Sequence, residues 1–159
     1  MAAKLDQLAR WLTTVLGLLA GAALFSLMSL TFFDVLSRKF YRSIPGALEI
    51  SEMLMVVVLF CALPLVSWRA GHVSFELADA LYKGRMARYS RVFMDAVSAI
   101  ALGFMGWVGL ANAARTLQDG DVSAVLRWPL GWFVYLMAVM LLLAAVLHLI
   151  RCVTVLRST

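Results

Sequence analysis

The stretch WLTTVLGLLAGAALFSLMSLTFF, Trp11 to Phe33, runs 23 residues without a charge between Arg10 and Asp34. Three more uncharged stretches follow. There are 16 residues between Glu52 and Arg69, 19 between Asp95 and Arg115, and 23 between Arg127 and Arg151. A helix rising about 1.5 Å per residue needs about 20 mostly apolar residues to cross the hydrocarbon of a bilayer. Three stretches meet that length, and the second meets it with Glu49 and Glu52 at the membrane edge. The reading is an all-α integral membrane protein with four transmembrane helices, at about 12–33, 47–68, 91–114 and 129–150.

Composition agrees. The chain has 159 residues, 64% hydrophobic and 14% charged, with mean hydropathy +0.91. A soluble domain carries about a quarter charged residues. Four spans use up the length, so one membrane domain over 1–159 is expected. The net charge of +5 sits at helix ends and in one connection, where lipid headgroups, not nucleic acid, are the natural partner. Cys61 and Cys152 show no C-x-x-C or paired spacing, so neither a disulfide framework nor a metal knuckle is indicated. The first apolar run is too long for a typical signal peptide and ends without a small-x-small cleavage pattern. It reads as a retained first helix.

Charge sets an expected orientation. With a cytosolic N-terminus, nine basic residues lie inside: Lys4, Arg10, Arg69, Lys83, Arg85, Arg88, Arg91, Arg151 and Arg157. Five lie outside: Arg38, Lys39, Arg42, Arg115 and Arg127. The positive-inside rule then puts both termini in the cytosol.

Several features are candidate contacts. Gly17 and Gly21 form a G-x-x-x-G spacing, and Gly103, Gly106 and Gly109 recur every three residues. Small residues at such spacing let helices approach closely. In the first outer loop Pro45-Gly46 suits the start of a new helix. Glu49 and Glu52 lie three apart on one face of its first turns. The helix dipole alone favours carboxylates there. Pairing with Arg38, or with a partner protein, is the functional reading, and which acid Arg38 would take is left open. Asp95 is placed to pair with Arg91 one turn back. Pro64 sits near the inner end of helix 2. Trp128, Trp132 and Tyr135 read as an aromatic belt at the outer interface. In the long inner connection, apolar residues from Phe75 to Phe93 recur at helical intervals among Lys83, Arg85, Arg88 and Arg91. That predicts an amphipathic helix at about 74–88 lying in the headgroup plane.

Chemistry is sparse. The chain has no nucleotide loop, no H-E-x-x-H and no Ser/His/Asp constellation, so no enzyme, cofactor or metal site is expected. The middles of the four spans carry no charge, whereas transport sites need mid-membrane charges or broken helices. That argues against a small multidrug-type antiporter, which requires a deep acid. The alternative reading is a haem-binding membrane anchor of an oxidoreductase, using His72 and His148.

Taken in order, the residues resemble a known family. Arg38-Lys39-Phe40 follows helix 1, Glu49 and Glu52 open helix 2, Gly71-His72-Val73-Ser74-Phe75-Glu76 follows helix 2, and Trp128-Pro129 precedes helix 4. This order is similar to that of the DctQ-type small membrane subunit of tripartite ATP-independent periplasmic (TRAP) transporters. Two departures are Glu76 where Asp is usual and Lys39 interrupting the Arg-aromatic pair. The resemblance implies a noncatalytic subunit of a sodium-coupled symporter for organic acids in the bacterial inner membrane. Its implied partners are a large membrane subunit, which it scaffolds, a periplasmic substrate-binding protein, which it helps to dock, and membrane lipids. Arg38, Arg42, Glu49, Glu52, Gly17, Gly21, Gly103 and Gly106 are the expected partner contacts. Lys83, Arg85, Arg88 and Arg91 are the expected lipid contacts, with Gly71, His72 and Glu76 as the family motif.

Overall fold

The computed structural model describes residues 2–40, 42–69 and 85–157. Four helices make up nearly all of this: α1 (Ala2–Phe40), α2 (Ala47–Arg69), α3 (Arg85–Gln118) and α4 (Gly131–Arg157). Each contains a segment long and apolar enough to cross a membrane. Backbone N–H and C=O groups have no water to bond in hydrocarbon, so a continuous helix is the state that satisfies them locally.

The helices outrun the apolar stretches. α1 continues seven residues past Phe33, so Asp34 and Arg38 belong to its last turns and not to a loop. α3 begins at Arg85, so Arg85 and Arg88 lie on the same helix as the apolar span that starts at Val92. Helical hydrogen bonding does not stop where hydrocarbon stops; polar side chains only have to reach water or headgroups. The remainder of the expected interfacial helix, with Lys83 and the motif residues Gly71, His72 and Glu76, lies outside the described residues. α2 passes through the buried Pro64 to Arg69 as one helix.

Packing runs in the order α1–α2–α4–α3. α1 rests on α2, α2 on α4, and α4 most extensively on α3. At the α1–α2 seam Leu16, Ala20 and Cys61 form a buried cluster, against which Val57, Ala62, Met140 and Leu143 pack. At the α3–α4 seam small residues dominate: Ala99 and Ala113 on α3, and Ala138, Ala144 and Ala145 on α4, are all buried. A Cβ on Gly106 would lie 2.7 Å from Leu142 Cγ and 3.2 Å from the Ala138 carbonyl oxygen. The backbones meet so closely because no side chain stands between them. Between 17% and 28% of each span's apolar window is covered by the rest of the chain. Much of the surface of α1, α2 and α3 therefore faces lipid or another protein, while α4 is mostly half-buried or buried.

The connections 42–46 and 119–130 share one end of the molecule, called here the connection end. The N-terminus of α1 and the C-terminus of α4 lie toward the other, the terminal end.

Candidate functional site

Two carboxylates organise the connection end. Asp34, buried near the end of α1, accepts hydrogen bonds on Oδ2 from Arg38 Nε at 2.8 Å and Nη2 at 2.7 Å. Its Oδ1 accepts from the Ile44 N–H at 2.9 Å and from Ser43 Oγ at 3.4 Å. One side chain thus satisfies the turn that carries the chain from α1 into α2. That turn closes at Gly46, whose φ of +78° is the left-handed conformation glycine adopts without steric cost. α2 starts one residue later, as Pro45-Gly46 predicts.

Glu49, in the first turn of α2, reaches across to the α3–α4 connection. Its Oε1 accepts from the Val125 N–H at 2.7 Å and its Oε2 from the Leu126 N–H at 3.0 Å. The connection is itself folded. α3 ends in a Schellman motif: the Gly120 N–H donates to the Leu117 carbonyl and the Asp121 N–H to the Thr116 carbonyl, with Gly120 at φ +71°. Ser123 and Trp128 close a small loop. The Ser123 N–H donates to the Trp128 carbonyl at 2.9 Å, and Ser123 Oγ accepts from the Trp128 N–H at 3.2 Å. Val122 and Pro129 pair beside it, ahead of α4 at Gly131. Trp132 and Tyr135 follow on the first turns of α4, their ring centroids 6.5 Å apart.

The expected pairing of Arg38 with Glu49 or Glu52 is therefore corrected. Arg38 is held by Asp34 four residues back on its own helix, and Glu49 is held by two backbone amides. Only the side chain of Glu52 among these acids makes no hydrogen bond to the described residues. It is exposed and lies on the wall of an open groove of about 480 Å³ between α2, α4 and residues 122–124 of the connection. Arg42 is exposed.

At the terminal end, Asp95 Oδ1 and His148 Nδ1 lie 2.9 Å apart, joining α3 to α4 in a buried position. The expected pairing of Asp95 with Arg91 involves a side chain that lies outside the described residues. Arg151 Nη1 donates to the Ser67 carbonyl at 2.7 Å, tying α4 to the end of α2. Asp34, Ser123 and the Asp95–His148 pair were not singled out as a set by sequence. The signals were present only as an i, i+4 acid–base pair and as polar residues near span ends.

The glycines divide. Gly103 and Gly106 face Ala145, Ala138 and Leu142 of α4, so the close approach they allow is used within the chain. Gly17 faces Leu65 of α2, while Gly21 meets nothing within 4 Å. Among the described residues no group of three or more His, Cys, Asp or Glu could hold a metal ion. His148 is engaged with Asp95, and His72, its expected partner in a haem site, lies outside the described residues.

The geometry is thus one of helices tied at both ends, with ionisable groups serving the ties and charge-free span middles. No curated protein and no solved structure matches the chain significantly. The family model of the DctQ component of tripartite ATP-independent periplasmic transporters matches residues 27–158, from the second half of α1 to the end of α4. With four apolar helices in the expected order and that match over most of its length, the chain belongs to the DctQ family of small membrane components of TRAP transporters.

Proposed function

We propose that this chain is the noncatalytic scaffold of a sodium-coupled TRAP transporter for organic acids. In this reading it enlarges the fixed part of a large membrane subunit and helps to dock a periplasmic substrate-binding protein. The observation that carries the proposal is the use to which the described ionisable groups are put. Asp34, Glu49, Asp95 and Arg151 each hold one element to another near a helix end, and the middle of every span is apolar. A solute or ion pathway within the chain would need polar groups at mid-depth. The extensive apolar surface left uncovered supports a large membrane partner. The open face around Gly21, beside exposed Leu18 and Phe25, is one such surface.

We further place the connection end in the periplasm and both termini in the cytosol of a bacterial inner membrane. The excess of basic residues toward the terminal end supports this. Of the four expected charged contacts, Arg42 and Glu52 make no side-chain hydrogen bond to another described residue, and these two are offered to a binding protein. Arg38 and Glu49 act there through the turn and loop that they hold.

The test is co-expression with a large TRAP membrane component, followed by affinity capture and uptake in proteoliposomes. The two proteins should purify together, and uptake should need both plus the binding protein. Uptake by this chain alone would refute the scaffold role. Arg42→Glu and Glu52→Lys should weaken capture of the binding protein without disturbing helicity. Unchanged capture in both variants would remove these residues from the docking surface.

A further inference from the structure

The groove between α2 and α4 has an apolar floor that docking of a soluble protein does not use, and it shares Glu52 with the proposed docking surface. Its walls are Met53 and Val56 from α2 and Leu130, Phe133, Val134 and Met137 from the α4 side. Its polar groups cluster at the connection end. There Ser123 is engaged with Trp128, and Glu49 with the Val125 and Leu126 amides. Glu52 is left as the carboxylate of the lining with no hydrogen bond to a described residue.

Depth gives the groove a direction. Glu49 lies two residues into α2, Glu52 five and Val56 nine, so at about 1.5 Å per residue the groove descends from roughly 3 Å to roughly 13 Å below the start of α2, with Glu52 midway. Trp128 and Trp132, both exposed, mark the headgroup level beside it. The mouth is therefore at headgroup depth and the floor among acyl chains. At about 480 Å³ the groove falls within the roughly 300–1,000 Å³ that holds a single small molecule, well short of what a helix requires.

We propose that this groove seats an acyl chain of a phospholipid whose headgroup carries a primary ammonium, with Glu52 as the acceptor of that ammonium. One molecule then meets both requirements of the groove. Its chain covers the apolar floor, and its cation neutralises a carboxylate that is costly to leave unpaired at a membrane edge. An anionic glycerol headgroup would place like charge beside Glu52. A trimethylammonium headgroup would keep the charge but could not donate a hydrogen bond. The inference needs the chain to sit in a membrane with Glu52 not engaged by a binding protein, so lipid retention by the chain alone tests it separately from the transporter role.

The experiment is native mass spectrometry of the full chain released from nanodiscs made with equimolar phosphatidylethanolamine, phosphatidylcholine and phosphatidylglycerol. Phosphatidylethanolamine should be retained over phosphatidylglycerol by about threefold, in line with the modest energy of an exposed ion pair. Glu52→Gln should abolish that preference while chains of all classes are still retained. Val56→Trp, which fills the floor and leaves Glu52 in place, should reduce retention of all three lipids. Equal retention of the three by the native chain, an unchanged preference in Glu52→Gln, or unchanged retention in Val56→Trp would each overturn the proposal. So would loss of the lipid on assembly with the large membrane component, with a basic residue of that component cross-linking to position 52. That outcome would make the occupant a protein.

Discussion

Asp34 and Glu49 carry similar chemistry to different ends. Both are carboxylates close to the connection end, and each accepts backbone N–H groups that a turn or loop would otherwise leave without partners. Removing either leaves amide donors unpaired. Glu49→Ala is expected to lower the melting temperature in detergent and to speed hydrogen exchange at the Val125 and Leu126 amides. Glu49→Gln, which keeps one acceptor, should fall between. Protection at 125 and 126 unchanged in Glu49→Ala would show that the strap is not formed. At the other end, the Asp95–His148 contact is buried from both sides and joins two helices. A double-mutant cycle with Asp95→Ala and His148→Ala should show a coupling of about 1–3 kcal/mol, read from unfolding in mixed micelles. Additive effects would mean that the two side chains act independently. Sequence alone marked Glu49 as a residue needing a partner. It could not name one, because the amides it meets are 76 and 77 residues away. Pairing with nearby Arg38 was the plausible local choice, and it lost because Asp34 stands one turn behind Arg38 on the same helix face.

Elements here are shaped by where side chains are missing. Gly106 brings α3 against Ala138 and Leu142 of α4. Gly106→Val should cost about 1–3 kcal/mol through overpacking, and adding Leu142→Ala should recover part of the loss by vacating the space. A single substitution without effect on stability would show that the helices are not so close. Gly120 matters for a different reason. Nothing stands within 4 Å of its missing Cβ, but its φ of +71° makes Gly120→Ala cost roughly 1–2 kcal/mol through backbone strain alone. Its signature should be fraying of the α3 C-terminus by hydrogen exchange. The glycine spacing in α3 was legible as a packing face. Which helix it packs against was not, because the same period serves a neighbour in the chain and a neighbour in another protein equally well.

The whole molecule is a succession of helices in the order α1–α2–α4–α3, with few fully buried residues in any span. Such a chain is suited to lie against a larger membrane protein, since its surface greatly exceeds its core. Its orientation can be tested with single cysteines in a background where Cys61→Ala and Cys152→Ser remove the native thiols. Asp121→Cys, on the exposed connection, should react with a membrane-impermeant maleimide added to intact cells. A cysteine at position 157 should react only after the cells are opened. The reverse pattern would invert the proposed topology.

Sequence by itself determined that this protein is four apolar helices, where its turn at Pro45-Gly46 falls and to which family it belongs. Hydrocarbon demands long uncharged stretches, and these can be counted along a chain without knowing what touches what. Tertiary structure decided the helix order, the partners of Asp34, Glu49 and Asp95, the inward use of Gly106 and the groove below Glu52. Each of these depends on groups far apart in the chain meeting at a few ångströms, and in lipid no strong hydrophobic pattern distinguishes the face that meets a helix from the face that meets an acyl chain.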